Sequence, residues 1–206
     1  MTLKILLTGF EPFAGAALNP SELAVRALAA APPAGLLLVT AILPVTYAGA
    51  GPALRAALAA HRPDIMLATG LAGNRPHVAV ERVAINVDDA RIADNDGVAR
   101  IDTPVIAGGP AAYFATLPIK AITAAIRAEG VPAEVSQSAG TFLCNHIFYL
   151  ARHLAPRAGF IHLPHLAEPA GPDGLPLGQI VAALRAALAV LRDDAADLSI
   201  AEGAVS

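Results

Sequence analysis

Cys144 is the only cysteine of the chain. It stands in Ser138-Ala139-Gly140-Thr141-Phe142-Leu143-Cys144-Asn145-His146, between a short β-prone run, Ala133 to Gln137, and a segment that reads as helix from Asn145 to Leu154. The thiol therefore falls at or near the first turn of a helix, just after a flexible turn. Unpaired backbone N–H groups and the positive end of the helix dipole at such a place favour the thiolate, which is the nucleophilic form. A free cysteine is more often a small buried hydrophobe, so the thiol alone does not decide between chemistry and packing.

Thiol hydrolysis also needs an imidazole that takes the thiol proton and later protonates the leaving amine. His146 lies two residues past Cys144, which on a helix turns its ring about 200° away from the thiol and makes it a poor base. His162 is the better candidate. It ends the short strand Gly159 to His162, expected beside the strand that feeds the cysteine turn. His61, His77, His153 and His165 read as surface or helix-end residues. Glu81 is the candidate for orienting the base, because it is a carboxylate inside an otherwise strand-like segment, His77 to Val87, of the kind a half-exposed or edge strand tolerates. Its plain alternative is an ion pair with Arg82 or Arg91.

Other patterns carry less. Gly49-Ala50-Gly51 is only the front half of a dinucleotide fingerprint, with Leu54 where the third glycine belongs, so no nicotinamide cofactor is implied. Asp94-Asn95-Asp96-Gly97 is like the start of a calcium loop but lacks the closing glutamate and flanking helices; it reads as a solvated turn. His162 and His165 have metal-ligand spacing for a helix, but Pro164 lies between them. No metal or other cofactor is expected.

The elements that must position these groups alternate. Lys4 to Thr8 is a strand ended by Gly9. Asn19 caps a helix that has Pro20 at its first position and runs to about Ala30. Leu36 to Ile42 is a strand, Tyr47 to His61 a helix, and Asp64 to Thr69 a buried strand closed by Gly70. Ile101 to Pro110 is loop, Ala111 to Thr116 a short strand, and Pro118 to Glu129 a helix. Ala167 to Pro176 is a Pro/Gly loop, Leu177 to Leu191 a helix, and the last dozen residues look frayed. Strand–helix alternation implies an α/β fold, with a mainly parallel sheet and helices on its faces. Ligands in such folds gather at the carboxyl ends of the strands. Gly9-Phe10-Glu11-Pro12-Phe13, Gly70-Leu71-Ala72-Gly73, the cysteine turn and His162-Leu163-Pro164 all follow predicted strands.

Composition narrows the partners. The formal charge of −3 and the absence of a Lys/Arg cluster argue against nucleic acid or an anionic membrane. One cysteine excludes an intramolecular disulfide and suits a reducing compartment, by default the cytoplasm. Ala27 to Leu54 holds no charge, yet its prolines and glycines break it into helix end, strand and next helix rather than a membrane span. The apolar run from Ile5 to Leu7 is too short for a signal-peptide core. One domain, residues 1–206, is expected.

Four motifs in order resemble the pyroglutamyl peptidase I family, also called pyrrolidone carboxyl peptidases. They are Leu7-Thr8-Gly9-Phe10-Glu11-Pro12-Phe13 with Asn19-Pro20-Ser21; Glu81-Arg82-Val83-Ala84-Ile85-Asn86 with Asp94-Asn95; Ala139-Gly140-Thr141 to Cys144-Asn145-His146; and Phe160-Ile161-His162-Leu163-Pro164. The resemblance implies a three-layer α/β/α sandwich with a mainly parallel, mixed twisted sheet. It also implies a cysteine exopeptidase that removes an N-terminal pyroglutamyl residue from peptides through a thioester. Cys144 would be the nucleophile, His162 the general base and acid, and Glu81 the orienting carboxylate. Phe10, Phe13 and Phe142 would wall the lactam pocket, with Leu71 beside them. Arg91 and the Cys144 N–H would steady the oxyanion. Relatives form dimers or tetramers, so a homo-oligomer is expected. The chain has Leu71 where the family commonly has Gln, Asn74 and Ala14 where it has Gly, and His165 where Tyr is common. These departures leave a catalytically weak or inactive relative, binding pyroglutamyl peptides or 5-oxoproline, as the alternative.

Overall fold

The computed structural model describes residues 2–167 and 174–203, so most of the predicted Pro/Gly loop from Ala167 to Pro176 lies outside the described residues. The first strand, β1 (Lys4–Phe10), leads into helix α1 (Pro20–Ala30), β2 (Leu37–Leu43), α2 (Tyr47–His61) and β3 (Ile65–Leu71). Two short strands, β4 (Val78–Glu81) and β5 (Val83–Ile85), precede a long irregular connection to β6 (Ala112–Phe114). Then come α3 (Ile119–Ala128), β7 (Ala133–Ser136), α4 (Leu143–Leu154), β8 (Ala158–Leu163) and α5 (Leu177–Arg192).

Six strands form one sheet in the order β2-β1-β3-β8-β4-β7. The pairs β1–β2, β1–β3, β3–β8 and β4–β7 are parallel, and β4 meets β8 antiparallel, so the sheet is mixed as expected. Because side chains alternate across a strand, the continuous apolar runs feed two cores. Ile5, Leu7, Ile65 and Leu67 pack with Val25 and Leu28 of α1, Ile122 and Ile126 of α3, and Leu184 and Leu188 of α5. Leu6, Met66 and Ala68 face the other way, onto Leu54 of α2 and Ile147 and Phe148 of α4. Helices therefore cover both faces of the sheet. None of the helices among the described residues is long and apolar enough to cross a membrane.

Several local expectations need correcting. The strand carrying Glu81 is neither exposed nor at an edge: all four residues of β4 are buried and the strand lies between β8 and β7. It tolerates a carboxylate because that carboxylate is paired. Contrary to the expectation from the sequence, the strand carrying His162, β8, does not lie beside β7, which feeds the cysteine turn; β4 separates them. The turn at Asp94 is exposed at Asn95, Asp96 and Gly97, as expected, but Asp94 itself anchors it. Asp94 is buried, takes the backbone N–H of Tyr47 at the start of α2, and also accepts from Asp96 and Val98. Burial alone would raise its pKa, but these backbone N–H groups hold it below the usual carboxylate value. Asn95 next to it binds the Glu11 carboxylate and the Pro12 carbonyl, tying down the first loop.

The described part of the tail after α5, up to residue 203, has no helix or strand but is held along α3. Asp197 accepts the N–H groups of Lys120 and Ala121, supplying the cap that Pro118 cannot give, and Glu202 pairs with Arg127. Helix α4 begins at Leu143, two residues earlier than expected, which puts Cys144 inside its first turn.

Candidate active site

The loop after β1 is set by the start of α1. Asn19 caps the helix by accepting from the Ser21 N–H, and its amide donates to the Glu11 carbonyl. The Ser21 hydroxyl takes the N–H of Phe10, while Gly9 lets the Ser21 backbone approach so closely that a Cβ there would lie 2.6 Å from its carbonyl oxygen. Phe10 and Phe13 thereby reach a cavity of about 390 Å³, and Phe142, Leu71, Arg91, Cys144 and His162 line the same cavity. Phe13 and Phe142 stand with ring centroids 6.3 Å apart, and Tyr47 meets Phe142 edge-on at 5.9 Å. Ala14 completes the first loop in a left-handed conformation (φ 52°), a geometry glycine takes without cost.

Cys144 is half-buried on the first turn of α4, and no side chain caps that helix. The first N–H groups of the helix are thus left to the pocket. Asn145, fully buried, clamps the helix to β5 by binding the Ile85 N–H and the carbonyls of Ile85 and Val87. The room for the thiol comes from β3. Gly70 pairs in register with His162, and a Cβ on Gly70 would lie 2.7 Å from the Cys144 sulfur. A bare backbone at this point of the sheet lets the thiol sit over it beside the imidazole.

Glu81 and His162 meet across the antiparallel β4–β8 pair, where Ala79 is opposite His162 and Glu81 lies one diagonal step away on the same face. His162 Nδ1 and Glu81 Oε1 are 2.8 Å apart. Glu81 is 0% exposed and stands behind the imidazole rather than on the cavity surface. Burial by itself would lower the pKa of His162. It is outweighed by the charge of Cys144, by hydrogen bonding to Cys144, and then by Glu81, so the imidazole is pushed up to about 9. The charged imidazolium is thus the favoured form of His162 beside the thiol.

Glu81 does not pair with Arg82 or Arg91. Arg82 binds Gln137, and the cation on Glu81 is Arg75, 2.9 Å from the same Oε1 that His162 uses. Arg75 went unnoticed in the sequence, where the only signal was a second cation six residues before Glu81 in the glycine-containing loop. Gly70, the strand end, also makes space for the thiol, and Asn19, the helix cap, also lines the cavity. His146 points away from the thiol as expected. It binds Asp88 at 2.9 Å, and Asp88 also takes Arg100 at 2.8 Å. These ties, with the backbone bonds between Asp88 and Thr103 and between Asp89 N–H and the Thr141 carbonyl, hold the long loop that brings Arg91 to the cavity. Among the described residues there is no group of three or more His, Cys, Asp or Glu side chains able to hold a metal ion.

A thiol at an uncapped helix start, facing an imidazole backed by a buried carboxylate, is the constellation of a cysteine-type hydrolase. Comparison with known proteins gives the family. The profile described as pyroglutamyl peptidase matches residues 3–194, and the chain belongs to the pyroglutamyl peptidase family of cysteine-type exopeptidases. It is 56% identical over 189 residues to a pyrrolidone-carboxylate peptidase of Chromobacterium violaceum, covering 89% of this chain and 90% of the relative. It is 50% identical to a protein of the same name from Streptomyces coelicolor, with 98% of each chain covered. Among solved structures, pyroglutamyl peptidase I of Bacillus amyloliquefaciens superposes with a TM-score of 0.91 at 40% identity, covering 98% of this chain and 100% of the other. Pyrrolidone carboxyl peptidase of Thermococcus litoralis gives 0.90 at 34% identity, covering 97% and 99%.

Proposed function

We propose that this chain hydrolyses the amide bond following an N-terminal pyroglutamyl residue of peptides, with Cys144 as nucleophile, His162 as proton carrier and Glu81 as the carboxylate that orients and charges it. The observation that carries this reading is the buried Glu81–His162 pair at the base of one cavity with the thiol on the helix start above it. The Cys144 sulfur adds to the pyroglutamyl carbonyl carbon, its proton having passed to His162 Nε2. The oxyanion is met by N–H groups at the start of α4, with Arg91 as the candidate charged donor. As the C–N bond breaks, the imidazolium gives its proton to the leaving amine, and a pyroglutamyl thioester remains on Cys144. Water then adds to the thioester carbonyl, passes a proton to His162, and the thiol leaves with that proton as free pyroglutamate departs.

The substrate fits the walls. A lactam carries no charge, so it needs apolar faces and few hydrogen bonds, which Phe10, Phe13 and Phe142 with Leu71 and the loop backbone supply. A relative that only binds such peptides would have no use for a buried carboxylate holding an imidazole beside a thiol. We place this chemistry in a reducing compartment, the cytoplasm, in a single domain that assembles as a homo-oligomer; exposed Ile101 and Phe114 are apolar side chains suited to such contacts.

Under reducing conditions, purified protein should release the fluorophore from a pyroglutamyl arylamide. Cys144→Ser and treatment with iodoacetamide should each abolish release. An inert wild type, or a serine variant with full activity, overturns the proposal.

A further inference from the structure

Two cations, His162 and Arg75, meet the buried carboxylate, and Cys144 and Arg91 line the cavity beside them. Cys144 comes from α4, His162 from β8, Arg75 from the loop between β3 and β4, and Arg91 from across the cavity. β7 and its turn contribute Ser136 and Ser138 to these contacts, and Glu134 of β7 lines a second cavity with Arg75, Arg127 and Glu202; β3 contributes Gly70. Arg75 is the one that ties them together. Its Nη1 donates to Glu81 Oε1 at 2.9 Å and to the Ser136 hydroxyl at 3.0 Å, and its Nη2 donates to the Ser138 carbonyl at 3.1 Å. Ser138 opens the turn that delivers Cys144. Both cations on Glu81 use the same oxygen, and the second, Oε2, is buried without a partner among the described residues.

Resting on the function proposed above, we propose that Arg75 is a positioning residue of the reaction: its guanidinium is the second partner of the buried Glu81 carboxylate and keeps it aimed at His162 while pinning the turn that carries Cys144. A carboxylate that is 0% exposed is costly to keep charged with one partner. The fork geometry of guanidinium serves the carboxylate and the turn at once, which a single ammonium cannot do. Removing a positive charge from this cluster makes every neighbouring group hold its proton more tightly, so the whole ionisation pattern of the site moves to higher pH.

The test compares Arg75→Met and Arg75→Lys with wild type. It follows the pH profile of kcat/KM on a pyroglutamyl arylamide and, independently of any substrate, the pH profile of iodoacetamide alkylation of Cys144, unambiguous because the chain has one cysteine. In the Met variant both profiles should move to higher pH by about half a unit or more, with kcat falling about tenfold and KM changing much less. The Lys variant should restore the profiles but only part of kcat. Arg75→Gln, a shorter and uncharged polar side chain, should show the same displacement if the Met variant does not fold. A neutral variant with wild-type profiles, at whatever rate, overturns the proposal, as does a Lys variant displaced as far as the neutral one. If the arylamide is not cleaved by wild type, the proposed function fails, while the alkylation profile still decides the role of Arg75.

Discussion

Replacing Glu81 by Gln removes a charge from the site with little change of shape. The amide oxygen can still accept from His162 Nδ1, now 2.8 Å from Oε1, so the ring keeps its orientation. What is lost is the attraction between carboxylate and imidazolium. For charge centres about 4 Å apart at an effective dielectric near 20, Coulomb's law gives about 4 kcal/mol. The retained hydrogen bond offsets part of this, leaving about 2–3 kcal/mol, or about 30- to 150-fold in kcat/KM. The sign of the pH effect follows from the same interaction. In wild type, activity should fall as pH rises through about 9, where His162 loses its proton. Without the carboxylate the imidazolium is less stable, so that limb should move to lower pH. Stability carries the same signature: with a folded pKa of about 9 against an ordinary 6.5, protonated His162 contributes fully below 6.5, and the contribution is lost as pH rises through 9. Arylamide hydrolysis measured from pH 5 to 10 for wild type and Glu81→Gln reads both effects. A variant that keeps a third or more of the activity, with its alkaline limb unmoved, would refute the role given to Glu81.

Two further changes probe the scaffold. Gly70→Ala puts a methyl 2.7 Å from the Cys144 sulfur and 2.9 Å from the Phe160 ring; it should lower kcat and the rate of Cys144 alkylation about a hundredfold while costing about 1–3 kcal/mol of stability, and normal kcat would contradict the space argument. Asp197→Ala removes the acceptor for the first N–H groups of α3; it should cost about 1 kcal/mol, or about 2–4 °C in Tm, with kcat unchanged, and an unchanged Tm would mean the tail is not anchored through Asp197.

The elements with strong local signals were legible in the sequence. Asn19-Pro20 marked the start of α1, and the apolar runs of β1 and β3 announced strands buried on both faces. Cys144, His162 and Glu81 were legible as chemical types in suitable places; His162 meets Glu81 and lines one cavity with Cys144. The order of β8, β4 and β7 was not legible, because three short strands with similar apolar patterns can pair in several ways and only tertiary packing selects one. Arg75 and Gly70 escaped for a related reason. Their roles exist only across elements, one through a carboxylate on β4 and the other through a sulfur on α4. The anchoring roles of Asp94 and Asp197 were not legible, because polar residues in irregular backbone look solvated until the N–H groups they satisfy are known.

The central claim is that the Cys144 sulfur carries the pyroglutamyl group during turnover. Acid-quenching the reaction in the first turnovers and mapping the modified peptide by mass spectrometry tests it directly. A pyroglutamyl thioester on Cys144, lost on mild base treatment and missing in Cys144→Ala, is the predicted result; release of product at an undiminished rate by Cys144→Ala would contradict the account.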